Sequence, residues 1–271
     1  MTTSHYAGIL HRIGNALEAA RVVFSGFTPG EVRAEYKAGH DPVTAADKAV
    51  DVVLRQNLLR EGEGWLSEES VDDFSRLDKR HVWVVDPLDG TREFVEGLPE
   101  FCVSIGFIED GKPVAGGIYN PATQETFLGA IDCGVTYNGK PVERNLAHVT
   151  ARLEGALVLA SRSEVKRGEW ETFRNAPFEL RPMGSVAYKL ALVAAGLAQA
   201  TFTLTPKHEW DVAAGAALVL SSGGAVRTLE NSALTCNQKN PLLSGLIASR
   251  VEVSEELLRY LERYLKPAPA R

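Results

Sequence analysis

The sequence has few cysteines and no long run of hydrophobic residues. Its 271 residues contain three cysteines, widely spaced and without a C-x-x-C pair. Such a set excludes a disulfide framework and a thiolate zinc site, and it is typical of reduced, buried thiols. No stretch is long and apolar enough to span a bilayer, and the N-terminal residues lack the unbroken apolar core of a secretion signal. We therefore expect a cytoplasmic protein without a membrane partner.

Positive charge is also scarce. The chain has 29 lysine and arginine residues against 35 acidic ones, a net charge of −6, and no long basic run. A protein that follows a nucleic-acid backbone needs a basic surface, so the composition argues against a nucleic-acid polymer as partner. An acidic protein that binds an anionic substrate must reverse its local charge, and metal ions would do this.

The first half of the chain predicts two helices followed by a mainly antiparallel sheet. Ile9, Ile13 and Leu17 recur at helical spacing, and Thr44 is the expected N-cap of a second helix that follows a polar turn at residues 37–41. Alternating and β-branched runs predict the strands. The predicted strands occupy residues 82–85, 101–108, 114–119 and 126–130, with a short strand from residue 65 and a hairpin at residues 137–140.

The second half predicts strands that alternate with helices, which is typical of an α/β arrangement. The pattern loosens near residues 141–154, so we expect two domains, residues 1–140 and 141–271, and a frayed end after Pro267. The predicted strands occupy residues 156–160, 178–183, 199–204, 226–229 and 246–249, and the predicted helices residues 162–174, 186–195, 211–222 and 253–265.

One segment in the first half carries most of the chemistry. A buried strand ends abruptly in the sequence D-P-L-D-G-T, which predicts a tight turn. Asp86, Asp89 and the carbonyl of Leu88 form an all-oxygen set suited to a hard cation such as Mg²⁺. The N–H groups of Gly90 and Thr91 begin a short helical segment, and such groups hold phosphate oxygens. The simpler interpretation is a β-turn with an Asp cap.

Three further acids have simple structural explanations when each is taken alone. Asp47 is placed to close a capping box with Thr44, and Asp211 heads a helix, where it would be an N-cap. Glu68 belongs to a Glu pair in a loop, which is usually a solvated surface. Because Glu68 lies between two apolar strands and shortly before Asp86, we expect it to converge on the same point.

Together these acids follow an ordered signature along the chain. It reads Asp, Glu-Glu, D-P-L-D-G-T, W-D, then eleven residues (212–222), then Gly-Gly. Over roughly the whole chain this order resembles the inositol monophosphatase superfamily of Mg²⁺-dependent, lithium-sensitive phosphomonoesterases. The resemblance implies an α+β or α/β fold, a layered αβαβα sandwich of the inositol monophosphatase and fructose-1,6-bisphosphatase type. It also implies, by analogy alone, a homodimer.

The resemblance implies a metal centre. Glu68, Asp86 and the Leu88 carbonyl would hold one ion. Asp86, Asp89 and Asp211 would hold a second, and a third, weaker ion would share Glu68. The expected cofactor is therefore Mg²⁺, two to three ions per site, with Mn²⁺ as a substitute and with Li⁺ and Ca²⁺ as inhibitors.

The resemblance also implies the catalytic and substrate-binding residues. Asp47 and Thr91, together with Glu68, would orient and deprotonate the water that the metals activate. Paired metals lower the pKa of such a water and stabilise the attacking and departing oxygens. His208 is expected to shape the substrate pocket rather than to bind metal. The implied substrate contacts are Asp89, Gly90, Thr91, Gly184, Ser185 and Asp211.

The substrate is less well determined than the reaction. Residues 86–94 and 161–163 are similar to the branch that removes the 3′-phosphate from 3′-phosphoadenosine 5′-phosphate. Residues 103–106 and 210–215 are similar to the inositol phosphatase branch, and Glu164 stands where the nucleotidase branch often has His. Fructose 1,6-bisphosphate and histidinol phosphate remain alternatives.

A hypothesis of another class is a non-catalytic module that binds RNA or protein and keeps a vestigial metal site. The complete set of ligands argues against a vestige, and the lack of a basic patch argues against RNA.

Overall fold

The structure is a computed structural model that describes residues 5–36, 42–143 and 152–265. The first half contains α1 (Ala7–Phe24), β1 (Ala34–Tyr36), β2 (Pro42–Thr44), α2 (Ala45–Leu58), β3 (Gly64–Ser67), β4 (His81–Asp89), α3 (Thr91–Glu96), β5 (Cys102–Glu109), β6 (Lys112–Asn120), β7 (Glu125–Ala130), β8 (Gly134–Tyr137) and β9 (Lys140–Pro141). The second half contains β10 (Leu157–Ser161), α4 (Arg162–Lys166), β11 (Glu179–Met183), α5 (Val186–Ala194), β12 (Ala200–Thr203), β13 (Lys207–His208), α6 (Glu209–Ser221), β14 (Ala225–Thr228), β15 (Leu242–Leu243), β16 (Leu246–Ser249) and α7 (Val251–Leu265).

Seven strands, β3 to β9 in sequence order, form the larger sheet. Strands β3 and β4 are parallel, and each later pair is antiparallel, as the hairpin signals predict. The second sheet has the order β11-β10-β12-β16-β14. In it β10 is parallel to β11 and β12, whereas β16 is antiparallel to β12 and β14.

The helices separate and cover the two sheets. Apolar residues of α1 and α2 pack with Trp83, Val85 and other side chains on one face of the larger sheet. The opposite face packs on α5 and α6, in a cluster that also includes Leu159 and Ala248 of the second sheet. Helix α7 packs on the outer face of the second sheet through Val253 and its neighbours. The order of layers is α, β, α, β, α, and the expected sandwich is confirmed.

Glycines let α6 lie directly against the larger sheet. A Cβ atom added at Gly116 of β6 would lie 2.3 Å from the carbonyl oxygen of Ala214 in α6. One added at Gly106 of β5 would lie 2.8 Å from the Ala213 Cβ. No side chain fits at either distance, so the absence of a Cβ sets the depth at which α6 sits. This matters for the site because α6 carries Asp211.

Three local predictions were wrong. The strand that was expected to break at Asp86 continues to Asp89 through a register shift, because Pro87 lacks an N–H group and is tolerated where a bulge interrupts the ladder. The helix expected at residues 162–174 ends at Lys166, and a separate 3₁₀ turn forms at Glu171–Phe173, because Gly168 between them has φ +80°.

Helix α6 begins at Glu209, so Asp211 is its third residue and not its cap. The polar turn predicted at residues 37–41, most of the proposed domain boundary and the end after Pro267 lie outside the described residues. Within the described part of the chain, no helix has both the length and the apolar character needed to cross a membrane.

Candidate active site

A cavity of about 370 Å³ opens beside the end of β4, between the starts of α5 and α6. Ten residues were expected at one site from the sequence, and the structure brings nine of them to this cavity wall. The tenth, Asp47, lies behind the wall and is 2% exposed. The nine lining residues are Glu68, Asp86, Leu88, Asp89, Gly90, Thr91, Gly184, Ser185 and Asp211.

Three carboxylates from two distant segments meet in this cavity. Asp86 and Asp89 come from the end of β4, and Asp211 comes from the first turn of α6. One oxygen of each lies within 4.8 Å of one oxygen of the others. Three acidic oxygens at this separation are a donor set for a hard cation.

The protein holds one oxygen of each of these three carboxylates. Asp86 Oδ1 accepts a hydrogen bond from the N–H of Leu88 at 2.9 Å, and Asp211 Oδ2 accepts one from the N–H of His208 at 2.9 Å. A cation would therefore take up the other oxygen of each acid. Such outer contacts fix the direction of a ligand before a metal arrives.

Asp89 is held in the same way by the loop before α5. Its Oδ2 accepts hydrogen bonds from the Ser185 hydroxyl at 2.7 Å and from the N–H of Ala187 at 2.6 Å. Ser185 has φ +48°, a conformation in which its hydroxyl also accepts from the N–H of Tyr188 at 3.0 Å. The substrate loop predicted from the sequence is therefore also a support for the acid cluster.

The acids of the cluster are buried and repel one another, and both effects raise the pKa values of Asp86 and Asp211. Burial raises the pKa of Asp86 well above its usual value, and the charges of Glu68, Asp89 and Asp211 raise it further. Burial and the neighbouring acids Asp89 and Glu68 raise the pKa of Asp211 in the same sense. Buried carboxylates that repel one another in this way bind cations to relieve the repulsion, so the residues fit the implied Mg²⁺.

Glu68 stands slightly apart from the three aspartates. It follows β3, its N–H donates to the Val85 carbonyl at 3.4 Å, and it lines the same cavity. Among the described residues, the tight group of oxygens comprises the aspartates without Glu68. Its charge nevertheless adds to burial in raising the pKa of Asp86 and Asp211, so Glu68 lies close enough to the aspartates to bind a neighbouring ion.

Asp47 makes the contacts of the expected capping box and also contacts Thr91, its expected catalytic partner. Its Oδ2 accepts from the N–H of Thr44 at 2.7 Å and from the Thr44 hydroxyl at 2.6 Å, which closes the capping box of α2. Its Oδ1 accepts from the Thr91 hydroxyl at 3.1 Å. Burial raises the pKa of Asp47, and the hydrogen bonds from Thr44 oppose this rise. The cap thus fixes the second oxygen towards the cavity.

The backbone at Gly90 passes so close to the neighbouring Glu100 segment that only a glycine fits. Gly90 has φ +97°, and a Cβ atom there would lie 2.7 Å from the Glu100 carbonyl oxygen. Helix α3 begins at the next residue, Thr91, whose hydroxyl also lies 3.0 Å from the Leu88 carbonyl oxygen. The glycine brings the N–H groups of residues 90 and 91 to the cavity wall, where they are suited to an anion.

Sequence reasoning missed Lys189. This lysine of α5 is 1% exposed, and its ammonium group donates to the carbonyl oxygens of Met183, Gly184 and Ser185 at 3.3, 3.1 and 2.8 Å. Burial lowers the pKa of Lys189 to about 8. A single lysine within the apolar run V-A-Y-K-L-A-L-V is the signal that would have found it, since a lone charge inside an apolar helix needs buried partners.

The remaining wall carries basic and aromatic side chains and one further acid, Glu93. Arg162 and Lys207 line the cavity, and the expectation that His208 shapes the pocket agrees with its position there. The His208 and Trp210 rings are stacked, with centroids 4.4 Å apart and planes inclined by 8°. The site thus joins a cation-binding acid cluster to a wall suited to an organic, anionic ligand.

Comparisons with known proteins agree with this geometry. The model of the inositol monophosphatase family matches residues 8–266. The chain is 33% identical over 268 residues to an inositol-1-monophosphatase of Mesorhizobium japonicum, covering 94% of this chain and 95% of that protein. It is 30% identical over 253 residues to the Nus factor SuhB of Escherichia coli strain K12, covering 90% and 91%. The solved inositol monophosphatase from Anabaena (Nostoc) sp. PCC 7120 superposes with a TM-score of 0.79 at 27% identity, covering 96% of this chain and 97% of that one.

Proposed function

Because this chain belongs to the inositol monophosphatase family, we propose that it is a Mg²⁺-dependent phosphomonoesterase that acts on a small phosphorylated metabolite. The single observation that carries the proposal is the convergence of Asp86, Asp89 and Asp211 within 4.8 Å. A cluster of this kind is costly to fold unless cations fill it. Its position at the wall of a substrate-sized cavity supports a catalytic use.

The resemblance to the family assigns the residues that would hold the ions, and their place in the cavity wall supports this assignment. Glu68, Asp86 and the Leu88 carbonyl would bind one ion, and Asp86, Asp89 and Asp211 another. When bound, the ions neutralise phosphate charge and lower the pKa of the attacking water. We expect Mn²⁺ to replace Mg²⁺ and Ca²⁺ to inhibit, because Ca²⁺ coordination is larger and looser. We also expect Li⁺ to inhibit.

The chain's own groups would move the proton and hold the phosphate. The Thr91 hydroxyl would accept a proton from water while passing its own to Asp47 Oδ1, 3.1 Å away. A hydroxyl has one proton, so donation to Asp47 requires that it not be donated at that moment to the Leu88 carbonyl, its other acceptor. The N–H groups of Gly90 and Thr91 would hold the phosphate oxygens.

The proposed substrate is an inositol monophosphate or a nucleotide of the 3′-phosphoadenosine 5′-phosphate class. Support for the nucleotide comes from the Ser161–Arg162–Ser163 segment, which lines the cavity, and from the aromatic pair His208 and Trp210 in its wall. Support for inositol phosphate comes from the relatives named for that activity. Fructose 1,6-bisphosphate and histidinol phosphate complete the panel to be tested.

Phosphate release with Mg²⁺ over this panel tests the proposal, and Asp89→Asn is the decisive variant. It removes a charge at nearly constant volume, and the remaining carbonyl oxygen can still accept from Ser185 and Ala187. We expect turnover to fall to background while the fold persists. The matched control is Asp110→Asn in an exposed turn with φ +49°, a conformation that Asn tolerates. Near wild-type turnover in Asp89→Asn refutes the assignment.

A second candidate is a non-catalytic module that binds protein or RNA. It is favoured by one relative that is named as a Nus factor and not as a phosphatase. In that case no substrate of the panel releases phosphate with any divalent ion, and Asp89→Asn leaves partner capture from solution unchanged. The net charge of −6 weighs against RNA as that partner.

The proposal also includes a cytoplasmic location and a homodimer. Cys102 and Cys236 are buried free thiols and Cys133 is an exposed one, which suits a reducing compartment. Light scattering on the purified protein gives the oligomeric state directly, and a monomer mass at micromolar concentration rejects the dimer.

A further inference from the structure

We propose that Lys207 binds a second anionic group on the substrate, and that Glu164 is the positioning residue that holds Lys207 in place. The inference rests on the proposed phosphatase function and names a feature of its substrate. The ligand chemistry is a phosphate or carboxylate group carried by the alcohol part of the phosphomonoester.

Lys207 is anchored at its tip but still faces the cavity. It belongs to β13, lines the cavity and is 15% exposed in its side chain. Its ammonium nitrogen lies 3.0 Å from the Thr205 hydroxyl oxygen and 3.3 Å from Glu164 Oε1. An ammonium group has three N–H donors, so these two contacts leave one for a ligand in the cavity.

Glu164 is built into the fold as a fixed anion. It is fully buried, and its Oε2 accepts from the Trp170 indole at 2.9 Å and from the N–H of Leu204 at 3.3 Å. Its Oε1 accepts from the Thr205 hydroxyl at 2.7 Å. Burial raises the pKa of Glu164, but the hydrogen bonds from Thr205 and Trp170 and the charge of Lys207 outweigh burial and lower it overall.

Glu164 serves the fold through Trp170, Leu204 and Thr205, but these contacts do not require a lysine at the cavity wall. A buried carboxylate is expensive, and replacing a buried ion pair with apolar residues is often neutral or stabilising. Here Oε1 of the carboxylate faces a lysine whose tip borders a cavity, and Oε2, held by Trp170 and Leu204, fixes the carboxylate itself. A long side chain that is already fixed loses little conformational entropy when it binds a ligand, so binding costs less free energy.

A second anionic group is the ligand that these cations fit. In the proposed function the scissile phosphate would have its own partners, namely the N–H groups of Gly90 and Thr91 and the ions that the acid cluster would hold. Arg162 lines the same cavity, is held by Glu100, and has a buried Nε without a hydrogen-bond partner among the described residues. Both cations already have a carboxylate partner, Glu164 for Lys207 and Glu100 for Arg162. A neutral polyol phosphate would offer only hydroxyl groups to their remaining N–H donors, whereas a second anionic group would accept charge-assisted hydrogen bonds from them.

Lys207 has one other possible role, and the test must separate the two. Its charge also lowers the pKa of Asp89 and Asp211 against the effect of burial, which comes first for both. If compensation of the acids were its only role, removing it would impair hydrolysis of every substrate to the same degree. A specificity role predicts a loss that depends on the second anionic group.

The experiment compares substrates that differ only in that group. The pairs are adenosine 3′-phosphate with adenosine 3′,5′-bisphosphate, and glycerol 2-phosphate with 2-phosphoglycerate. Each is assayed by phosphate release with wild-type protein, Lys207→Met, Lys207→Arg and Glu164→Gln. The control is Lys166→Met, which removes an exposed lysine from α4, the helix that carries Glu164. Thermal melts followed by circular dichroism check the fold of each variant.

We expect the wild type to prefer the doubly anionic member of at least one pair by about 10-fold or more in kcat/KM, as one charge-assisted contact allows. Lys207→Met should remove that preference, mainly through KM. Lys207→Arg should keep more of it, Glu164→Gln should lose part of it, and Lys166→Met should keep all of it.

Other results would overturn the inference. A wild type that releases phosphate without preference in either pair rejects it and leaves the phosphatase function standing. An equal loss on both members in Lys207→Met assigns Lys207 to charge compensation instead. If Lys207→Met does not fold, the wild-type preference and the Lys207→Arg and Glu164→Gln ratios decide. A wild type that releases no phosphate from any substrate of the panel rejects the phosphatase function itself.

Discussion

Asp47 caps a helix and, in the proposed mechanism, would also accept the proton from Thr91. Its two carboxylate oxygens have separate partners, Thr44 for one and Thr91 for the other. The sequence supported both the capping box and the catalytic role but offered no means of choosing between them, because spacing along a helix does not reveal which oxygen points where. The structure makes the choice unnecessary.

Thr91→Ala is expected to lower kcat and kcat/KM together, the pattern of an interaction made mainly in the transition state. The backbone N–H that would bind phosphate survives the change, but the proton relay to Asp47 is lost. Loss of general-base catalysis typically costs on the order of 10²–10⁴-fold. Thr91→Ser keeps the hydroxyl and should retain much more activity, although its χ1 angle is freer.

A double-mutant cycle supplies the control for that relay. Asp47→Asn should resemble Thr91→Ala, and the double variant should be little worse than either one, since the two residues would act as a unit. Losses that multiply fully contradict the relay. A higher KM with unchanged kcat in Thr91→Ala would instead make the hydroxyl a binding contact.

The residues that the sequence did reveal are those with an unusual local pattern. Asp86, Asp89 and Gly90 belong to the sequence D-P-L-D-G-T, which by itself indicates a tight turn with clustered carboxylates. Lys189 bonds carbonyl groups only four to six residues before it, whereas the carboxylate partner of Lys207, Glu164, comes from a distant segment. Nothing near Lys207 in the sequence indicates a buried carboxylate more than forty residues earlier, so its role becomes visible only in three dimensions.

Among the elements, α6 depends most on close packing. Its position against the larger sheet is set by Gly106 and Gly116, and its first turn delivers Asp211 to the cavity. The sequence predicted the helix from its apolar residues and from Gly223-Gly224 after it. It did not predict the start at Glu209, two residues before Asp211. That earlier start depends on the hydrogen bond from the His208 N–H to the Asp211 carboxylate.

Gly116→Ala should therefore reduce stability and activity together. The new methyl group would lie 2.3 Å from the Ala214 carbonyl oxygen, so α6 must move outwards. Overpacking of this kind costs about 1–3 kcal/mol in the free energy of unfolding. A displacement of Asp211 by about 1 Å would lower kcat on the order of 10²-fold. Urea unfolding and phosphate release measure the two effects.

Gly8→Ala is the matched control for this substitution. Gly8 lies in the first turn of α1, and a Cβ there meets nothing within 4 Å. Alanine should be neutral there or stabilise by up to about 1 kcal/mol. Gly116→Ala with unchanged turnover would show that Asp211 does not depend on the seating of α6.

Glu63→Gln tests the attachment of α1 to the larger sheet. Glu63 accepts hydrogen bonds from the Arg12 guanidinium at 2.8 and 2.6 Å and from the Trp83 indole at 2.9 Å. Removing its charge should cost about 1–3 kcal/mol in the free energy of unfolding. Urea denaturation at neutral pH measures the loss, and the exposed Glu61→Gln is the control.

The same contact predicts a dependence on pH. Burial raises the pKa of Glu63, but hydrogen bonds from Arg12 and Trp83 outweigh it, and the pKa is lowered overall. A lowered carboxyl pKa stabilises the folded state above the unfolded value of about 4.3, and this stabilisation is lost as pH falls through the folded pKa. The difference between wild type and Glu63→Gln should therefore shrink below about pH 4. A constant difference down to pH 2 would contradict the assignment.

For the whole molecule, the acid cluster links stability to metal. In chelator, Asp86→Asn should raise the free energy of unfolding by about 1–3 kcal/mol, because it removes a buried charge that repels its neighbours. The amide oxygen can still accept from the N–H of Leu88. A gain of this size corresponds to a melting midpoint higher by roughly 2–4 °C per kcal/mol.

Addition of Mg²⁺ should reverse that ranking. The ion binds the folded wild type and raises its midpoint, whereas Asp86→Asn should respond weakly. Burial and the neighbouring acids raise the pKa of Asp86 in the folded state, so the folded protein binds more protons than the unfolded one. Wild type in chelator should therefore gain stability as pH falls through the folded pKa. A variant less stable than wild type in chelator would show that repulsion does not dominate the cluster.

Helical periodicity and strand alternation predicted most of the helices and strands, and the ordered signature predicted the layered sandwich through its resemblance to a known family. The packing depth of α6 and the contacts of the cavity wall were not predictable. They depend on side chains such as Glu164 and Lys207, which are far apart in sequence and meet only in the folded structure.

The separation of Asp89 and Asp211 along the chain also bears on how the protein reaches its folded state. The two lie about 120 residues apart in sequence, so their approach closes a long loop, and contacts of this kind form slowly. During synthesis the ribosome releases Asp86 and Asp89 well before α6, and the early segment offers a cation only part of its ligands. Mg²⁺ should therefore leave the refolding rate nearly unchanged and slow unfolding. The ion would then stabilise the folded state without assisting its formation.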